Sequence, residues 1–159
     1  MTTNPELNDN KILHPDDHGH YVPEDIRQGQ TIVFTNGCFD ILHKGHVKYL
    51  AQARDLGDVL IVGVNSDASV RILKGNSRPV NDLDSRMEIV AGLESVSFVI
   101  PFQEETPYEL IKQIQPAVLV KGGDYEAEKI VGFDIAKQTV VIDFVDGFST
   151  TKIIEKLKK

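Results

Sequence analysis

His43 and His46 stand three residues apart with Gly45 between them, a few positions after the turn-like stretch Asn36-Gly37-Cys38-Phe39-Asp40. At a helix start this spacing projects both imidazoles from one face. Gly45 lets a phosphate approach the backbone there. The unpaired amides and positive dipole end of a helix N-terminus favour an anion. Imidazole donors could then follow charge as it grows on phosphate oxygens in a transition state. The plainer role for such a pair is packing or capping. A zinc site would need a third ligand nearby, and only Asp40 is a local candidate, so no metal-binding set is expected.

Other clusters carry matching chemistry. Lys121-Gly122-Gly123-Asp124 is a turn after a strand, or a place where adenine or ribose lies against bare backbone. Ser149-Thr150-Thr151 could hold phosphate oxygens by hydroxyls and amides, or simply cap a helix. Lys74-Gly75-Asn76-Ser77-Arg78-Pro79 is a polar loop with two cations, either solvated or phosphate-binding. Cys38 has no base and orienter beside it in the sequence and reads as a small packed residue. His14, His18 and His20 lie in a polar leader and carry little weight as metal ligands. The chain contains neither G-x-G-x-x-G nor G-x-x-x-x-G-K-[ST], which argues against a dinucleotide dehydrogenase or a P-loop kinase.

The elements that must position these clusters alternate between strand and helix. Thr31–Thr35 is a β-branched apolar run ending at Asn36-Gly37, and Val59–Val64 is continuously apolar, like a strand buried on both faces. Between them Val47, Leu50 and Ala51 repeat at helical spacing, with Gly57 at the expected helix end. Arg86, Ile89, Val90 and Leu93 outline a further helix, followed by a strand over Val96–Ile100. Thr106-Pro107-Tyr108-Glu109 reads as a capping box opening a helix that stops before Pro116. Strands are predicted over Ala117–Val120 and Thr139–Phe144, with a short helix Glu128–Ala136 between them. Ser149 caps a last helix with Ile153, Ile154 and Leu157 toward the core. Five strands alternating with helices specify a Rossmann-like three-layer α/β/α sandwich on a five-stranded parallel sheet. Such sheets bind ligands beyond the carboxyl ends of their strands, so the three clusters should converge on one rim.

Composition bounds the function. The chain of 159 residues has 41% hydrophobic and 26% charged residues and a formal charge of −7. It fits one globular domain, residues 30–159, behind a polar, loosely packed arm, residues 1–29. The net charge argues against a nucleic-acid partner. No apolar run is long enough to span a membrane, and the first ten residues are not a secretory signal. A lone cysteine fits a reducing compartment, with cytoplasm as the default. Deleting Met1 to Asn10 should leave folding and turnover unchanged, because that segment has no apolar anchor.

TNGCFDILHKGH, followed in order by VGVNSD, RILKGNSRPVN, VKGGDY and DGFSTTKII, resembles the H-x-G-H nucleotidyltransferase superfamily in its cytidylyltransferase-like branch. Within it the adenylyltransferases that make ADP-heptose are most similar. The resemblance runs from about Thr31 to Lys156. It implies ATP and Mg²⁺, transfer of AMP to a sugar 1-phosphate such as D-glycero-D-manno-heptose 1-phosphate, and a product used for lipopolysaccharide or surface-layer synthesis. It implies that His43 and His46 stabilise the α- and β-phosphates, with Lys44 near them. Thr35, Gly37, Cys38 and Phe39 would line the nucleotide site, and Arg86 would meet the leaving phosphates. Gly122 and Asp124 would border ribose and base, and Ser149 and Thr150 the phosphates. Asp40, Lys74 and Arg78 fall to the sugar-phosphate side, and the assembly expected is a homodimer.

Two departures bear on that reading. Many relatives carry a sugar kinase domain ahead of this one, whereas here only the arm precedes it, so a separate kinase is implied. Phe144 stands where glycerol-3-phosphate cytidylyltransferases carry arginine, which favours ATP over CTP. The alternatives are a cytidylyltransferase acting on a polyol or amino-alcohol phosphate, and a nucleotide-binding module without turnover.

Overall fold

The computed structural model describes residues 10–22 and 24–159. The sheet has five strands: β1 (Ile32–Gly37), β2 (Val59–Asn65), β3 (Phe98–Phe102), β4 (Val118–Gly122) and β5 (Gln138–Ile142). They lie in the order β3-β2-β1-β4-β5, and every pairing is parallel. The helices are α1 (Glu24–Arg27), α2 (Lys44–Arg54), α3 (Asp67–Lys74), α4 (Leu83–Ala91), α5 (Tyr108–Ile114) and α6 (Thr150–Leu157).

Side-chain alternation along the strands divides the core between two faces. Val33, Leu60, Val62, Val99, Val118 and Val120 pack with Leu50 and Ala53 of α2 and Met87, Val90 and Ala91 of α4. Phe34, Ile61, Ile100 and Leu119 pack on the opposite face with Leu110, Ile111 and Ile114 of α5. Helices on both faces of a parallel sheet make the three layers that the apolar pattern predicted.

The chain proceeds outward from β1 to β3 on one side, then returns to build β4 and β5 on the other. The direction therefore reverses between β1 and β4, where parallel sheets leave a crevice. The hydrogen-bonded ladder there is short. β1 pairs with β2 over six positions, but with β4 only through Val33–Val118 and Phe34–Leu119.

Several local expectations are corrected. α2 ends with Asp55 as its cap, and Gly57 serves another purpose: a Cβ there would lie 2.6 Å from the Thr31 carbonyl oxygen. Glycine is required by close strand approach, not by a helix end. Val47 is 47% exposed, while Leu50 and Ala53 carry the buried face of α2. The Thr106–Glu109 capping box does not form, because Pro107 occupies the cap position without a side-chain bond. A 3₁₀ turn over Ala127–Lys129 and further turns replace the helix predicted over residues 128–136. Leu157 is 77% exposed instead of facing the core. α3 was not anticipated. Ser66 caps it by accepting from the Ser69 amide at 3.2 Å.

The segment ahead of β1 is tied to the domain at three places. Ile12 forms a parallel bridge to Val99, Val22 is buried, and the Arg27 guanidinium donates to the Gln113 and Ile114 carbonyls. Loose packing therefore does not hold at Ile12, Val22 and Arg27, while residues 14–20 between them are exposed. Residues 1–9, nearly all of the segment whose deletion is expected to be neutral, lie outside the described residues.

Candidate active site

A cleft of about 780 Å³ opens at the carboxyl rim of the sheet, and the three clusters converge on it. It is lined by Asn36–Asp40, His43, Gly45 and His46 after β1, and by Lys121, Gly122 and Tyr125 after β4. Residues 143–151, after β5, complete that wall. Lys74, the last residue of α3, and Arg78 in the loop after it also line the cleft.

The histidine pair is built into the first turn of α2. His43 is the N-cap, and its Nδ1 accepts from the Gly45 amide at 3.0 Å. His46 Nδ1 accepts from the His43 amide at 3.3 Å, so the two side chains close a reciprocal capping box. An Nδ1 that accepts places the ring proton on Nε2. Each imidazole thus keeps one N–H donor with no protein partner among the described residues, on rings that line the cleft. Capping and ligand donation coexist, because they use opposite edges of the ring. Burial lowers the pKa of His43; burial and then the neighbouring His43 push His46 down to about 4. Both rings are neutral donors near pH 7. Gly45 is needed by the cap itself, since a Cβ there would lie 2.8 Å from His43 Cε1.

The start of α6 forms the facing wall. Ser149 Oγ accepts from the Lys152 amide at 3.1 Å, and Thr150 Oγ1 donates to the Ile41 carbonyl at 2.9 Å. The Thr150 proton is spent on the protein, whereas Ser149 only accepts and keeps its O–H, so an anion on this wall meets that hydroxyl and the first-turn amides of α6.

Asp40 is an organiser instead of a free acid. Its side chain is fully buried and accepts from Arg78 Nε at 2.6 Å and from the Val80 and Asn81 amides, each at 2.9 Å. Burial alone would raise its pKa, but those amide and guanidinium bonds together hold it below the usual carboxylate value. Asp40 therefore fixes the loop carrying Arg78 against the end of β1. Phe39, just before it, adopts a left-handed φ of 48°, a strained geometry typical of functional turns.

Four expected site residues stand elsewhere. Thr35 is fully buried behind the cleft, its hydroxyl 2.5 Å from Tyr49 Oη. Arg86 is also fully buried, bonded to the carbonyls of Cys38, Asn65 and Asn81 and to the Asp67 carboxylate. In this arrangement it ties the ends of β1 and β2 to the loop before α4 and does not open onto the cleft. Lys44 is exposed, with its Nζ 5.8 Å from the Phe148 ring centroid, outside the lining. Asp124 also lies outside the lining, and Tyr125 takes that place. The expected bare backbone at Gly122-Gly123 is covered: a Cβ on Gly123 would lie 2.7 Å from Phe144 Cε2.

Tyr49 was missed. Its hydroxyl joins Thr35 of β1 and donates to the Val120 carbonyl of β4 at 3.3 Å, just past the last paired residues of the short ladder. Burial, opposed by the Thr35 bond, pushes its pKa up to about 12, so it stays a neutral bridge. Its position three residues after His46, beside the buried Leu50, was the available signal. Among the described residues no group of three or more His, Cys, Asp or Glu side chains could hold a metal ion. No described helix is long and apolar enough to cross a membrane.

Comparison with known proteins agrees with this construction. Residues 34–156 match the Cytidylyltransferase-like family. The bifunctional protein HldE of a Nitratiruptor species is 61% identical over 132 residues, covering 83% of this chain and 29% of that protein. HldE of Aliarcobacter butzleri is 62% identical over 131 residues, covering 82% of this chain and 28% of that protein. The chain thus spans under a third of the length of these relatives. The crystal structure of the lipopolysaccharide core biosynthesis protein from Thermoplasma volcanium superposes with a TM-score of 0.64 at 30% identity. That match covers 74% of this chain and all of the other. With the fold, the histidine pair and the matched span in agreement, the chain belongs to the cytidylyltransferase-like family of nucleotidyltransferases.

Proposed function

We propose that the chain transfers AMP from ATP to a sugar 1-phosphate, D-glycero-D-manno-heptose 1-phosphate, giving an ADP-sugar and pyrophosphate. The observation that carries this reading is the capping box of His43 and His46, which leaves two Nε2–H donors on the cleft. Support for the sugar comes from the sequence resemblance to the ADP-heptose adenylyltransferases. The HldE relatives and the lipopolysaccharide core biosynthesis protein point the same way.

An oxygen of the sugar phosphate attacks the α-phosphorus of ATP. The new P–O bond forms as the α–β bridging bond breaks, and pyrophosphate leaves with the electron pair. No covalent intermediate on the protein is required. The neutral Nε2–H groups of His43 and His46 donate to phosphate oxygens as their charge grows, and the α6 amides hold the triphosphate across from them. The fit for ATP rests on the cleft volume and these donors. Mg²⁺ would be held mainly by phosphate oxygens and water, neutralising charge on the leaving group.

The competing reading is transfer of CMP from CTP, the chemistry in the family's own description. Phe144 at the position of the cytidylyltransferase arginine favours ATP. Pyrophosphate release over a grid of nucleotides and sugar phosphates decides between them. ATP should exceed CTP in kcat/KM by about tenfold or more, roughly 1.4 kcal/mol of differential transition-state binding. Equal or better use of CTP contradicts adenylyl transfer and leaves the fold untouched.

A further inference from the structure

Among the described residues, two cations lining the cleft, Lys121 and Lys74, pair with no carboxylate. Lys121 lies at the end of β4, partly buried in the cleft lining. Among the described residues its ammonium takes part in no ion pair and no side-chain hydrogen bond. Its electrostatic neighbours are the Cys38 thiol and a second cation, Lys74. Cys38, at the end of β1, feels Lys74, Arg86, Arg78 and Lys121 at once. Of these cations, Arg78 is matched by Asp40 and Arg86 by Asp67. Lys74 and Lys121 are left facing each other's charge without a carboxylate.

A partly buried ammonium beside another cation is costly unless an anion completes it. Burial, with Lys74 adding to it, lowers the Lys121 pKa against the opposing influence of Cys38. The location selects which anion. Leu119 packs with α5 and Val120 with α2, so strand alternation turns Lys121 to the α5 side of the sheet. His43 and His46 begin α2 and serve the other side. In-line displacement requires the attacking oxygen and the leaving pyrophosphate to stand on opposite sides of the α-phosphorus. With donor phosphates at the histidines and the α6 amides, the attacking phosphate belongs near Lys121.

We propose that Lys121, together with Lys74, grips the phosphate of the acceptor sugar phosphate. This rests on the AMP-transfer reading above and assigns a part of the site that reading leaves open. Lys121 contacts substrate directly and holds the attacking group in place.

Steady-state kinetics of Lys121→Met test it, with thermal unfolding of the ligand-free protein on the same preparation. The KM for heptose 1-phosphate should rise at least about tenfold while the KM for ATP stays within about threefold. The ligand-free thermal midpoint should hold or increase, because an unanswered charge has been removed. Lys121→Arg should restore part of the acceptor affinity. Calorimetric titration of heptose 1-phosphate without nucleotide should show the same loss in Lys121→Met. A rise confined to the ATP KM, or no change in either KM, overturns the assignment while the wild type still turns over. If the wild type neither binds heptose 1-phosphate nor releases pyrophosphate with it, the AMP-transfer reading itself fails and the assignment with it.

Discussion

The rings of His43 and His46 lie 3.9 Å apart, centroid to centroid, and each spends its Nδ1 on the backbone of the turn that holds the other. The cap fixes both tautomers and both ring positions before any ligand arrives. Donors so placed need no reorganisation as charge develops, which is where electrostatic catalysis gains most.

The Tyr49 bridge predicts a non-additive pair. Tyr49→Phe leaves the Thr35 hydroxyl fully buried without its partner and should destabilise the fold by about 1–3 kcal/mol. Adding Thr35→Val removes the orphaned group and should recover most of that loss. Urea unfolding of the three variants checks this. A double variant as unstable as the sum of the singles contradicts the bridge.

The low pKa of His46 makes stability depend on pH in one direction. Between its ordinary 6.5 and about 4, the unfolded chain takes up a proton that the folded chain refuses. The contribution of neutral His46 is therefore complete above 6.5 and is lost as pH falls through that window. His43, lowered by burial, acts in the same sense. The destabilisation caused by His46→Ala should shrink steadily as pH drops. Thermal midpoints of both proteins across the window measure it, and a constant or growing difference contradicts the neutral cap.

Truncation should separate the two parts of the leader. Removing residues 1–29 takes away the Ile12–Val99 bridge, buried Val22 and the Arg27 bonds to α5. It should lower the thermal midpoint by roughly 5 °C or more. Removing only residues 1–10 should change it little by comparison. Equal effects would mean that the Ile12, Val22 and Arg27 contacts contribute nothing.

What the sequence disclosed and concealed follows from the range of each interaction. Buried parallel strands appear as unbroken apolar runs, so Val59–Val64 was legible, and strand–helix alternation carried the rim with it. The histidine pair was legible because its spacing and its glycine are local. Arg86, which the family resemblance sets at the leaving phosphates, is held by four partners from segments far apart in the chain, a burial that no local pattern discloses. Thr35 and Tyr49 were missed as a pair for the same reason: only the assembled β1–β4 junction brings their hydroxyls together. Helix α3 was overlooked because it is only eight residues long and its apolar Ile72 and Leu73 mark no core face, being largely exposed.

His46→Ala tests the catalytic account most directly. Loss of one donor aimed at the developing phosphate charge should reduce kcat by on the order of 10²–10³, about 3–4 kcal/mol. The KM for ATP should change far less, because Gly45, the α6 amides and His43 remain. The fold should survive with a loss of about 1 kcal/mol, since half of a capping box has gone. Steady-state pyrophosphate release and thermal unfolding on one preparation give all three quantities. A kcat within about fivefold of wild type, accompanied only by lower stability, would show that His46 caps the helix and does nothing more.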